Sequence, residues 1–203
     1  MTEVTLLAYA NVDDLDFFGA MSVLSKAGAS LGANFFKVGA RARIVKLSSG
    51  VEVDLGERWI PLRSAMPARS LVVPGGPGAL AAAEERELTD LLRAARAGGV
   101  RFYACCTGAC ILGAIGLLEG MSVAMHHLKR SALEKSGCSA IVEGLVRDGW
   151  LTSVAGDLSP SVKSVDLATQ LIRDLVPEAL PPILERMELQ HGRRVREHVT
   201  PSP

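Results

Sequence analysis

Phe102-Tyr103-Ala104-Cys105-Cys106-Thr107-Gly108-Ala109-Cys110 joins two different patterns. An apolar, strand-like run ends at Cys105, and a helix pattern rich in Ala, Gly, Ile and Leu begins just after Cys106. A reactive residue at so tight a strand-to-helix reversal needs small neighbours two positions to either side, because the backbone doubles back on itself. Cys106 has Ala104 and Gly108 at those places, whereas Cys105 has Tyr103 and Thr107, and Cys110 is followed by Leu112. Cys106 is therefore the candidate nucleophile. The first turn of the helix after it leaves N–H groups unpaired and carries partial positive charge, both of which favour a thiolate. Cys105, Cys110 and Cys138 read as small buried hydrophobes, the usual state of a free cysteine.

Working outward from this elbow, short apolar runs alternate with helical patterns. Val4 to Ala10 shows no period-2 alternation, as expected of a strand covered on both faces. The next stretch is helical, with Phe17, Ala20, Met21, Leu24 and Ala27 on one stripe closed by Gly28; Asp13 is the expected N-cap and Asp16 its reciprocal partner. Ala42 to Leu47 and Val51 to Leu55 read as strands. Ser70 to Val73 is another, stopped by Pro74-Gly75-Gly76-Pro77-Gly78, and Arg86 to Ala97 is an amphipathic helix ending at Gly98-Gly99. Beyond the elbow, Met121 to Met125 reads as a strand, Leu128 to Lys135 as a polar helix, and Ile141 to Ser153 as a hairpin turning at Asp148-Gly149. Ser159-Pro160 opens a last core helix. This alternation predicts an α/β fold: a single flavodoxin-like three-layer domain over residues 1–176, its mostly parallel sheet covered by helices on both faces. Residues 177–203 are expected to add a helical extension and a polar tail.

Composition narrows the function classes. Lys plus Arg and Asp plus Glu are 22 each in 203 residues, so no overall attraction to nucleic acid or to an anionic membrane is implied. Residues 102–118 are uncharged but too short for a membrane span, and Met1-Thr2-Glu3 leads directly into a strand rather than a signal peptide. Four cysteines at 105, 106, 110 and 138 form neither a disulfide framework nor a zinc pattern, which points to a reducing cytoplasm. No cofactor is expected.

Ligands of open α/β sheets bind beyond the carboxyl ends of the parallel strands. Asp16, Gly75-Gly76 and Cys106 each follow such an end. A nucleophile, a proton carrier and a glycine turn able to offer N–H groups to developing negative charge are the parts of a covalent mechanism. Taken singly, the glycines could be only a turn, and Asp16 only a cap. The pieces AYANVDDLDFFGAMSVLSKAG, LVVPGGPGAL, YACCTGACILGAIGLLEGMSVAMHH and VRDGWLTS, in that order, resemble the ThiJ/PfpI superfamily of class I glutamine-amidotransferase-like folds over about residues 3–175. The resemblance implies a nucleophile at Cys106, an acidic partner at Asp16, an oxyanion site using the amides of Gly76 and Thr107, a small-molecule substrate and a homodimer. Peptidase-like and glyoxalase-like members carry Cys-His at the elbow. Cys106-Thr107, with Leu15-Asp16, is instead similar to the isonitrile hydratases, in which a thiolate adds to an isocyanide and water releases an N-substituted formamide.

Some features depart from that pattern. The segment from Val154 to Pro160 is longer than expected and introduces Asp157, which could line the pocket or cap the last helix. His126 falls where some relatives place a histidine near the site, yet it reads as a strand-end surface residue; His127, beside it in an alternating strand, should point the other way, which argues against a paired metal site. A cofactor-free glyoxalase or deglycase, a cysteine redox sensor and a ligand-binding domain are the competing readings. The last needs a partner to read DNA, since no helix-turn-helix follows residue 175.

Overall fold

Val4–Leu7 forms the first strand, β1, and all four of its residues are buried, which accounts for the lack of alternation there. The computed structural model describes residues 2–156 and 162–189, and the backbone of 197–199. After β1 come α1 (Asp14–Leu31), β2 (Phe36–Ala40), β3 (Ile44–Lys46), β4 (Glu52–Asp54), β5 (Trp59–Pro61), β6 (Ser70–Val73), α2 (Ala79–Ala82) and α3 (Arg86–Ala97). β7 (Arg101–Cys105) and α4 (Gly108–Ala114) flank the elbow. The chain continues through β8 (Ser122–Ala124), β9 (Ala140–Val142), β10 (Gly144–Asp148), β11 (Leu151–Ala155), α5 (Lys163–Leu175), α6 (Leu180–Arg186) and β12 (Glu197–Val199).

Eight strands make one sheet in the order β12-β10-β11-β7-β6-β1-β2-β5. Every pairing in it is parallel except that of β10 with β11. Helices flank the sheet, giving the flavodoxin-like α/β fold the sequence predicts. β7, β6 and β1 are neighbours, so the ends that carry Cys106, Gly75-Gly76 and Asp16 open side by side. α1 lies against α5 at very close range: a Cβ on Gly19 would stand 2.2 Å from Ser164 Oγ, which donates to the Leu15 carbonyl at 2.8 Å.

The hairpin at Asp148-Gly149 is present as β10 and β11, but residues 140–142 leave it to pair with β8 in a separate two-stranded sheet. β3 and β4 likewise form a small hairpin of their own. β2 and β5 were not expected. Gly39 masks β2 in the sequence and is required because a side chain there would lie 2.8 Å from Ala65 Cβ, and β5 is a three-residue edge strand ending in a proline. The polar helix expected at Leu128 to Lys135 is a 3₁₀ segment at His127–Ala132. At the other end, Leu180, Ile183 and Leu184 of α6 are buried in the main core, and residues 197–199 are a strand beside β10 rather than a tail. The expected helix start at Ser159-Pro160 lies outside the described residues. Among the described residues, no helix is long and apolar enough to cross a membrane.

Candidate active site

Cys106 has φ +50°, a left-handed conformation that residues with a side chain seldom adopt and that is often found where a fold holds a reactive group. Its N–H donates to the Val154 carbonyl at 2.9 Å, tying the elbow to β11. Gly108 is required by the same reversal, since a Cβ there would stand 2.3 Å from the Val73 carbonyl oxygen. The cysteine is 8% exposed.

Asp16 is not the cap of α1. Asp13 is, its side chain accepting the Asp16 N–H at 3.0 Å. That leaves the Asp16 carboxyl free to turn inward. There its Oδ2 accepts the Gly75 N–H at 3.2 Å, and the Cys105 thiol hydrogen-bonds to the same carboxyl. At 5% exposure, burial holds the carboxyl above its ordinary range, only partly opposed by the Cys105 bond. A Cβ on Gly75 would lie 2.7 Å from Asp16 Oδ2 and 3.0 Å from Cys106 Cβ. The glycine thus lets the acid and the cysteine close on one point.

Gly76 and Thr107 brace each other. The Gly76 N–H donates to Thr107 Oγ1 at 2.8 Å, and that hydroxyl donates to the Gly76 carbonyl at 3.0 Å. A side chain at Gly76 would strike the Asn11 carbonyl oxygen and the Asp13 nitrogen, both 2.5 Å away. The expected oxyanion donor Gly76 is therefore already engaged in the resting arrangement, and the donor it would present depends on how Thr107 turns.

Three neighbours went unread in the sequence. Lys129 Nζ donates to Cys106 Sγ at 3.4 Å, placing an ammonium where a thiolate gains more from it than a thiol does. Cys105, taken as a buried hydrophobe, is buried but also serves as the hydrogen-bond partner of Asp16; burial pushes its thiol up. Tyr9 donates to the Pro74 carbonyl at 2.8 Å, supporting the glycine turn, and is raised by burial and by the Asp16 charge. Adjacency to Cys106 was the available hint for Cys105. Nothing local marks Lys129, whose contact spans 23 positions.

His126 lies just past β8, its Nδ1 accepting the Leu128 N–H at 3.2 Å. His127 does not point away from it: the two rings stack with centroids 4.1 Å apart and tilted 30°. Strand alternation does not apply, because β8 ends at Ala124. Asp157 lies outside the described residues.

A parallel flavodoxin-like sheet with a cysteine held left-handed at a strand-to-helix elbow, and a buried carboxyl beside it, defines a class of α/β cysteine-elbow proteins. The chain belongs to the DJ-1/PfpI family, whose model matches residues 2–162. It is 31% identical to an isonitrile hydratase of Pseudomonas putida over 106 residues, 52% of this chain and 45% of that protein. The match thus spans less than half of the hydratase. Among solved structures it is similar to Drosophila melanogaster DJ-1beta, with a TM-score of 0.78 and 22% identity over 94% of this chain and 100% of the other. It is similar also to a ThiJ/PfpI family protein of Pseudomonas syringae, with a TM-score of 0.77 and 22% identity over 95% and 77%. At these identities the structural likeness carries the fold alone.

Proposed function

We propose that this chain is a cysteine-dependent enzyme of the isonitrile hydratase type, converting an isocyanide and water into an N-substituted formamide. The observation that carries the reading is the meeting of Asp16 and Cys106 on the two sides of Gly75, with the carboxyl held above its ordinary range by burial. A carboxyl whose protonated form is favoured by burial is suited to protonating an attacked isocyanide carbon. The similarity to an isonitrile hydratase and the Cys106-Thr107 elbow point the same way.

In this mechanism the Cys106 thiolate, facing the Lys129 ammonium, adds to the terminal carbon of R–N≡C while Asp16 delivers its proton to that carbon. The product is a thioimidate, R–N=CH–S–Cys106. Asp16, now a carboxylate, takes a proton from water as the water oxygen adds to the same carbon. The C–S bond then breaks, the sulfur leaves as thiolate and the hydroxyl proton of the adduct passes to nitrogen, giving R–NH–CHO. Water supplies both hydrogens and the oxygen of the net addition, and no electrons are exchanged with an outside reagent. The Thr107 amide contributes a donor to the charge that develops during addition, and the Gly76 N–H joins it once the Thr107 hydroxyl turns away.

The test is to follow formamide formation from cyclohexyl isocyanide by wild type and Cys106→Ala, with methylglyoxal as the competing substrate. Turnover of the isocyanide by wild type and its loss in Cys106→Ala support the proposal. Turnover of methylglyoxal alone would move the protein to the glyoxalase reading. Inactivity on both, with selective peroxide oxidation of Cys106, would replace the enzyme by a sensor.

A further inference from the structure

We infer that His126, His127 and Glu143 form a binding site for a divalent transition ion, with Zn²⁺ the first candidate, at the turn that carries Lys129 to Cys106. Each of the three side chains offers one ligand atom, and these atoms all lie within 4.8 Å of one another. Around a tetrahedral Zn²⁺ with bonds of about 2.0–2.1 Å, ligand atoms stand roughly 3.3 Å apart. Two imidazole nitrogens and one carboxylate oxygen make a donor set suited to Zn²⁺, Cu²⁺ or Ni²⁺, and three protein ligands leave a coordination position open.

The carboxylate is held in place before any ion arrives. Glu143 stands between β9 and β10, and its Oε1 accepts both the His127 backbone N–H at 2.8 Å and a hydrogen bond with His127 Nδ1 at 2.7 Å. Its stem lies in a trough that exists because residue 156 is glycine. A Cβ on Gly156, which has φ +86°, would stand 2.7–2.8 Å from Glu143 Cβ, Cγ and Cδ. Without an ion, His126 Nδ1 accepts the Leu128 N–H; ligation through Nε2 moves the ring proton to Nδ1 and gives up that bond. The Glu143 side chain is 18% exposed and that of His127 55%, so a half-buried carboxylate faces an accessible imidazole and the ion has a path from solvent.

The site lies one 3₁₀ turn from the chemistry. The Lys129 N–H donates to the His126 carbonyl at 2.8 Å, and the Lys129 ammonium reaches Cys106 Sγ at 3.4 Å. A bound ion would cross-link this turn to the β9–β10 connection.

The test is equilibrium dialysis of the chelator-stripped full chain against Zn²⁺, for wild type, Cys106→Ser, His127→Gln and Glu143→Gln. Folding of each is checked by circular dichroism and thermal melting without metal. Outer-shell changes already weaken metal sites by about 10–100-fold. Loss of a direct ligand should therefore weaken binding at least tenfold in His127→Gln and Glu143→Gln, while Cys106→Ser binds as wild type does. If Glu143→Gln fails to fold, His127→Gln, altered at an exposed ring, still decides the question. Co²⁺ gives a second measurement: a thiolate-to-metal charge-transfer band would identify a cysteine as ligand and overturn the assignment. Unchanged Zn²⁺ affinity in His127→Gln and Glu143→Gln, or no binding by the wild type, would overturn it as well.

Discussion

At the scale of single residues, Cys106 and Asp16 owe their character to opposite environments. Cys106 faces an ammonium, whereas Cys105 and Cys110 are buried thiols, the latter pushed up to about 11 chiefly by desolvation. Brief iodoacetamide treatment near neutral pH should therefore label Cys106 first and leave Cys105 and Cys110 unmodified. Preferential labelling of either buried thiol in peptide maps would overturn the elbow assignment. For Asp16→Asn, the proposed acid role predicts a fall in kcat of about 10²–10⁴-fold. The same substitution should raise thermal stability at neutral pH. The carboxyl's folded-state value lies above its ordinary 3.8, so the folded protein holds that proton more tightly than the unfolded chain does. Wild type then loses stability relative to the amide as pH rises from 3.8 through the raised value, and levels off above it. The melting-temperature gap should open over that window and narrow toward zero as pH falls to 3.8. A pH-independent gap would remove desolvation of the charged form as its cause.

At the scale of elements, the start of α1 separates capping from chemistry by three residues. Asp13→Ala removes the bond to the Asp16 N–H and should cost about 1 kcal/mol in urea unfolding. Asp16→Asn leaves that bond in place. If Asp13→Ala left stability unchanged while Asp16→Asn lowered it, the two roles would have to be exchanged. The elements that were legible in the sequence are those whose signal is local. α3 was readable to the residue because Leu88, Leu91, Leu92 and Ala95 form one buried stripe and Gly98-Gly99 ends it. β6 was readable because four buried residues run straight into Pro74. β2 was hidden because Gly39 answers to Ala65, far along the chain, and His126-His127 were misplaced by extending β8 beyond its last strand residue. In the candidate site, the elbow spacing exposed Cys106, but the inward turn of Asp16 and the reach of Lys129 depend on contacts between strand ends that no local pattern encodes.

At the scale of the whole molecule, α1 and α5 are joined through Gly19 and Ser164, 145 positions apart in the 203-residue chain. Gly19→Ala alone should destabilise by roughly 1–3 kcal/mol, since its methyl meets a side chain already bonded to the Leu15 carbonyl. With Ser164→Ala added, the clash with Oγ disappears, and the double variant should be more stable than the sum of the single losses allows. Strict additivity in chemical denaturation would mean the helices adjust elsewhere. The tie from the Cys106 N–H to the Val154 carbonyl has a consequence for how the chain reaches its folded state. That bond joins β7 to β11, and the partners of Cys106 arrive on segments that start beside β1, β6 and β8. Such long-range parallel pairings form slowly compared with a helix. In a refolding time course, a short alkylation pulse at successive delays should modify all four cysteines alike at first. Selectivity for Cys106 should then emerge together with protection of Cys105 and Cys110, so the nucleophile's distinct reactivity is a late arrival that reports the docking of the whole sheet.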